Sequence, residues 1–267
     1  MKYKKSIFIY LFTAGISFIV LIPVYFLVLL SLLPEKDVYK WPIPWQPSGL
    51  TLENYRTFLL VNPEVLPSIL RSLEVAGITI LISLSIGGMA GYALSRFFFA
   101  GRNTAKVSIL WVHMYPGVAL VIPMAVMLMH YGLYDNPIGL GLAYSVGAIA
   151  LTSWITSSIF TRVPVELEEQ AIVMGCNRIS AFRRITLPLA APGLAASAIY
   201  IFIAAWNEVV MAVILTQFNP TLPVVVYQSV SGATGQLNLV AAGGIFMALP
   251  ALVFTFLIKK YIIYMWS

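Results

Sequence analysis

The sequence predicts an all-α, polytopic membrane protein with six transmembrane helices and one polar helix–turn–helix segment. Three observations predict it. Of 267 residues, 60% are hydrophobic and 10% charged, with a mean hydropathy of +0.90. An ordinary soluble domain is about 45–50% apolar and about 25% charged. Six stretches reach the roughly 20 mostly apolar residues that a spanning helix needs. Lysines and arginines also gather on one side of those stretches, the pattern that sets membrane orientation.

The spans are expected at about 6–33, 68–98, 107–130, 137–160, 191–216 and 239–258. Lys2, Lys4 and Lys5 precede the first, but its apolar core far exceeds the 7–15 residues of a signal-peptide core. It therefore reads as a retained helix. With the N-terminus inside, the cytoplasmic segments hold Lys2, Lys4, Lys5, Arg96, Arg102, Lys106, Arg162, Arg178, Arg183, Arg184, Lys259 and Lys260. The outer side keeps only Lys36, Lys40, Arg56 and Arg71 of the 16 basic residues. That asymmetry puts both termini in the cytoplasm. It also accounts for the net charge of +6 without nucleic acid. The single cysteine, Cys176, excludes an internal disulfide framework.

Outside the spans, Pro34–Pro67 carries six prolines and mixed charge and reads as a structured or surface-hugging excursion. Gln217–Asn238 is uncharged and shows no helix-length periodicity. It serves as a connector, contacts a partner or folds back into a cavity. Gly87 and Gly91 form a small-xxx-small pair that lets two helices approach closely in lipid.

The polar segment 161–190 is the most elaborate part of the chain. Pro164 suits a helix start, and Glu166, Glu168 and Glu169 follow at the positive end of its dipole. Leu167, Ala171 and Met174 fall on one apolar stripe. Glu169 lies on the opposite face, beside Glu166, Gln170 and Val173. Gly175 sits where a left-handed C-terminal residue is wanted, and Asn177 is a good N-cap for a second helix. That helix is expected to stop by Pro188. A helix of about nine residues is marginal alone in water, so it must pack on its own bundle or on a separate protein.

The pattern Glu169-Gln170-Ala171-x-x-x-Gly175, nine residues, then Ile185-x-Leu187-Pro188 resembles the EAA loop of ATP-binding-cassette (ABC) importer permeases of bacteria and archaea. Gln170 replaces the motif's first alanine, and Met174 stands where an aspartate is common. Neither disturbs the helix or the glycine turn. "ENYRTFL" (Glu53–Leu59), "GYALSRFFFAGR" (Gly91–Arg102) and "WNEVV" (Trp206–Val210) are similar to segments of the carbohydrate branch, the maltose-system permeases.

The resemblance covers nearly the whole chain and implies a single permease domain, 1–267, with the type I importer permease fold. It implies that Glu169, Gln170, Ala171, Gly175, Asn177, Ile185, Leu187 and Pro188 form a cytoplasmic coupling loop that docks on an ATPase subunit. The partners it implies are a second, different permease, two cytoplasmic ATPase subunits and an external sugar-binding protein, all at a bacterial or archaeal inner membrane. ATP and Mg belong to the ATPase subunits. No cofactor or metal is expected on this chain, which has no G-x-x-x-x-G-K-[ST] phosphate loop.

Glu208 reads as a mid-span carboxyl group, which costs about 2.5–3.5 kcal/mol on insertion scales and so faces a bundle interior or cavity. Trp206 and Asn207 beside it offer an aromatic face and hydrogen bonds suited to a sugar ring. The other reading of Glu208 is a structural bond to a neighbouring helix. His113 and Tyr115, before Pro116, sit near an expected kink and are candidates to line the pathway. The EAA loop leaves other solutes open, such as a polyamine or glycerol phosphate. An ion-driven carrier coupled through Glu208 fits less well, since the halves show no internal repeat.

Overall fold

The computed structural model describes residues 2–40, 49–231 and 236–266. Among these residues the chain is helical throughout, without strands. α1 (Lys2–Leu32), α2 (Glu35–Val38) and α3 (Glu53–Arg56) lead into a π turn at Thr57–Val61. Next come α4 (Val65–Arg96), α5 (Arg102–Met114), α6 (Gly117–His130) and α7 (Pro137–Arg162). α8 (Val165–Val173) and α9 (Arg178–Ala181) precede a second π turn at Phe182–Thr186. The last helices are α10 (Leu187–Trp206), α11 (Val210–Leu215), α12 (Leu222–Ser231) and α13 (Leu237–Trp266).

The helices group into two compact units. The first comprises residues 1–67 and 225–249. Its polar centre is Asn54, whose amide donates to the Ser31 and Leu33 carbonyls at 2.9 and 2.8 Å and accepts from Asn238 at 2.8 Å. These bonds satisfy two carbonyls at the C-terminal end of α1, where a helix runs out of internal donors. Phe58 is fully buried and stacks on Phe246 with ring centroids 5.9 Å apart. The excursion after α1 is structured, as its sequence suggests; its stretch 41–48 lies outside the described residues.

The second unit comprises residues 68–224 and 250–267. Its axis is α7, with α5 and α10 packed along it. Gly87 and Gly91 let α4 press against α7: a Cβ on Gly91 would come within 2.7 Å of the Ser157 nitrogen and 2.9 Å of the Ser153 carbonyl. The Thr156 hydroxyl donates to the Gly87 carbonyl at 3.1 Å across this seam and back to Thr152 at 2.7 Å. Buried hydroxyls on α7 thus find backbone acceptors, the usual solution where water is absent.

Among the described residues, five helical runs are long and apolar enough to cross a bilayer: 9–32, 65–96, 137–162, 178–206 and 237–254. The kink expected in the third span is a sharp bend. α5 and α6 meet at 84°, because Tyr115 takes an extended ψ of 129° ahead of Pro116. A proline disfavours helical geometry in the residue before it and lacks the N–H that would continue the ladder. The expected fifth span, 191–216, is revised. Its helix starts earlier, at Arg178, and ends at Trp206, and α11 resumes after a break.

Pro188 does not stop a helix. The π turn at Phe182–Thr186 lets Leu187 bond back to Phe182, so the run from Arg178 continues through the proline into α10. Gln217–Asn238, expected without a helix, contains α12. Leu222 and Val224 are buried in the second unit, and the Leu222 N–H donates to Ser72 Oγ at 2.9 Å.

Candidate functional site

Two places in the second unit gather the residues singled out by sequence. The first is the platform around α8. Glu166 and Glu168 occupy its first turn, where carboxylates favour the helix dipole. Its end is a Schellman turn: Cys176 N–H bonds to Ala171 O and Gly175 N–H to Ile172 O, both at 3.0 Å. Gly175 takes φ +94°, a left-handed conformation that costs a side-chain-bearing residue about 1–2 kcal/mol. Asn177 then caps α9 by accepting from the Ser180 N–H at 2.8 Å.

The faces of α8 differ sharply. Glu166, Glu169, Gln170, Val173 and Met174 line one open concavity, and Val173 and Met174 are 88% and 85% exposed. Ala171 is buried, but Leu167 and Met174 are not. The expected Leu167–Ala171–Met174 stripe is therefore incomplete, since the helix ends before Met174 reaches the bundle. Ile185 is half-buried in the π turn, while Leu187 and Pro188 lie exposed at the start of α10.

Glu168, expected only to favour the dipole, is the joint. Its Oε1 accepts from the Tyr92 hydroxyl, and its Oε2 from Arg96 Nε at 3.2 Å and Thr186 Oγ1 at 2.9 Å. Arg96 also donates through Nη2 to the Val163 carbonyl at 3.0 Å. Both side chains of the ion pair are 8% exposed. Tyr92 packs edge-on against Phe160 and Phe182, with centroids 5.5 and 4.6 Å apart. One buried carboxyl group thus fastens α8 to the end of α4 and to the π turn leading into α10.

The second place is a cavity of about 650 Å³ bounded by α4–α7, α10 and α11, within the range of small-molecule sites. Trp111, His113, Tyr115, Tyr144, Tyr200 and Glu208 line it. Both helix breaks open here: Tyr115 and Gly117 border the α5–α6 bend, and Glu208 and Met211 the α10–α11 gap. Glu208 is therefore not inside a continuous span. Its Oε1 accepts the Met211 N–H at 3.0 Å, capping α11. Irregular backbone at membrane depth is tolerated where it lines such a cavity.

His113 and Tyr115 line the same cavity as Glu208. Trp206 and Asn207 do not. Trp206 is buried and stacks on Phe202 at 5.5 Å, and the Asn207 amide donates back to the Ile203 carbonyl at 2.9 Å. Local helix geometry turns both away, because consecutive residues point about 100° apart. Trp111, Tyr144 and Tyr200, unremarked in the sequence, take their place.

Residues 83–262 match the family described as binding-protein-dependent transport system inner membrane component. The chain belongs to that family. This permease is 32% identical over 250 residues to the trehalose transport system permease protein SugB of Mycobacterium tuberculosis, covering 91% of this chain and 89% of that protein. It is 32% identical to the trehalose/maltose transport system permease protein MalG of Thermococcus litoralis, over 80% of this chain and 78% of that one.

Among solved structures, the permease fold matches a chain of a bacterial ABC transporter involved in import of the acidic polysaccharide alginate. The TM-score is 0.75 at 20% identity, covering 97% of this chain and 96% of that one. A chain of the MetNI methionine ABC transporter matches with a TM-score of 0.61 at 18% identity, covering 74% of this permease and 94% of that chain. The protein is thus a multi-pass membrane subunit of an ABC importer, a transport component and not an enzyme.

Proposed function

We propose that this permease carries a sugar, supplies half of its pathway through the α4–α7/α10–α11 cavity, and receives force through the open face of α8. The observation that carries the reading is the two-sidedness of α8. One face is fastened to two spans through Glu168, and the other offers Glu169, Gln170, Val173 and Met174 to a partner. A short helix with exposed apolar tips is a docking element, because association buries surface that the monomer leaves wet. In this reading Glu169–Gly175 seats in an ATPase subunit, and Asn177, Ile185, Leu187 and Pro188 carry its motion into α10. ATP and Mg are held by two such subunits.

Both termini and α8 face the cytoplasm, as the distribution of basic residues implies. A second, different permease closes the pathway, and an external binding protein delivers the solute. Sugar is supported by relatives named for trehalose and maltose transport and by the aromatic walls of the cavity.

The test uses Val173→Cys in a Cys176→Ser chain within the assembled importer. The new thiol should react with a membrane-impermeant maleimide only in inside-out vesicles and form a disulfide with a single-cysteine ATPase. Labelling from outside the cell would overturn the docking role. Glu169→Lys should abolish uptake while the ATPase continues to turn over; unchanged uptake would count equally against it.

A further inference from the structure

We infer that the cavity admits neutral or positively charged sugars and turns away acidic ones; this rests on the proposed reading of the cavity as the pathway. The permease fold alone does not decide the question, since a structural neighbour belongs to an importer of an acidic polysaccharide. The wall residues do. Among the described residues that line the cavity, Glu208 is the one acidic side chain, and there is no lysine or arginine. His113 is the one lining group able to carry positive charge.

The Glu208 carboxyl group is fixed in place. Its Oε1 is committed to the Met211 N–H at 3.0 Å, which holds the group at the α10–α11 break instead of letting it swing toward water. The Tyr144 hydroxyl lies 3.5 Å from the Glu208 backbone carbonyl oxygen. The rest of the lining is largely apolar or aromatic, with Trp111, Tyr115, Tyr144 and Tyr200 among it. A carboxylate set among low-dielectric walls focuses its field on whatever enters.

A neutral sugar brings hydroxyl donors, which bond strongly to a carboxylate, and C–H faces that pack on aromatic rings. An amino sugar adds an ammonium group of the favoured sign. A uronic or sulfonated sugar meets the opposite case: a like charge ahead, and no guanidinium or ammonium on this half of the pathway to pair with. Discrimination of this kind arises as much from repulsion of the wrong solute as from attraction of the right one.

The test reads the sign of the field inside the assembled importer. In a Cys176→Ser chain, Ala204→Cys places a thiol on the cavity wall. A cationic methanethiosulfonate should modify it about tenfold faster than an anionic one, after correction for intrinsic thiol reactivity. In Glu208→Gln, which still accepts the Met211 N–H, the ratio should fall toward one. Equal rates in the parent chain, a ratio unmoved by Glu208→Gln, or wild-type uptake of a uronic disaccharide as fast as a neutral one would overturn the inference. Modification that leaves uptake unchanged would instead remove the pathway reading, and this inference with it, whatever the ratio.

Discussion

Two carboxyl groups lie just beyond the two ends of α7, and they are built on opposite principles. Past its C-terminal end, Glu168 is buried and bonded only by side chains, with Arg96 as its ionic partner. Before its N-terminal end, Asp135 is half-buried and bonded mostly by backbone. Its carboxylate accepts the N–H groups of Gln217, Phe218 and Asn219 at 2.8, 3.1 and 3.0 Å, and the Asn219 amide as well. Asp135 sits at φ +54°, a left-handed position that aspartate tolerates better than most residues. Between them runs α7, 26 residues or about 39 Å long. The first joint fastens a platform to the spans; the second clasps the α6–α7 turn to the segment after α11.

The difference teaches where each joint is vulnerable. A buried ion pair gains little over a well-packed apolar pair, but removing one partner strands the other charge. A half-exposed clasp loses less, because its freed N–H groups turn to water.

The largest expected effect is therefore at the buried joint. Glu168→Leu should lower stability by about 3–5 kcal/mol, read as the thermal unfolding midpoint of the purified importer. The double variant Glu168→Leu/Arg96→Leu should recover much of the loss. A double variant no better than the single would show that charge compensation is not what the joint supplies.

The seam between the joints comes next. Gly91→Val should cost about 1–3 kcal/mol by forcing α4 off α7, since its Cβ would press on the backbone at Ser153 and Ser157. The same substitution at Gly77, which has open space around it, should leave the midpoint nearly unchanged and serves as the control.

Asp135→Ala should give the smallest loss, about 1 kcal/mol, seen as faster amide exchange confined to residues 217–219. Its pH dependence sharpens the contrast. Burial pushes the Asp135 carboxyl up, but the N–H groups of Gln217, Asn219 and Phe218 and the Asn219 amide favour the charged form and win, holding it below the ordinary range. A lowered folded-state value means that the stabilisation is complete above the unfolded carboxyl value, near 3.9. It is lost only as pH falls through the lower folded one. Exchange at residues 217–219, corrected for intrinsic rate, should stay flat from pH 7 to about pH 5 and rise only below about pH 4. A rise above pH 5 would contradict this account of the clasp.

Local chemistry was the legible part of this molecule. Gly175 and Asn177 announce a left-handed turn and a cap because both features are set within a few residues, and the close seam at Gly87 and Gly91 follows from side-chain size alone. What the sequence concealed was non-local or directional. Glu168 meets Arg96 and Tyr92 from 72 and 76 positions away, and nothing on α8 distinguishes it from Glu166 or Glu169 until the platform docks. Hydropathy counts apolar residues but carries no axis, so 107–130 and 191–216 each read as one span, and only the first with a kink. Proline at 116 marks the first break; the second, at 207–209, has no proline or glycine to mark it, only Asn207 and Glu208. For the same reason Trp206 and Asn207, next to Glu208 in sequence, were expected in a cavity that they do not face.

The uninterrupted run from Arg178 to Trp206, 29 residues without a loop, leaves the chain no place to forgive a change in length. One residue inserted between Pro188 and Trp206 would screw everything beyond it round by about 100°, carrying the mouth of the cavity away from its walls while the surface platform stayed put. Only at Phe182–Thr186, where the winding is already wide, does the coil hold a spare residue that a single deletion could remove.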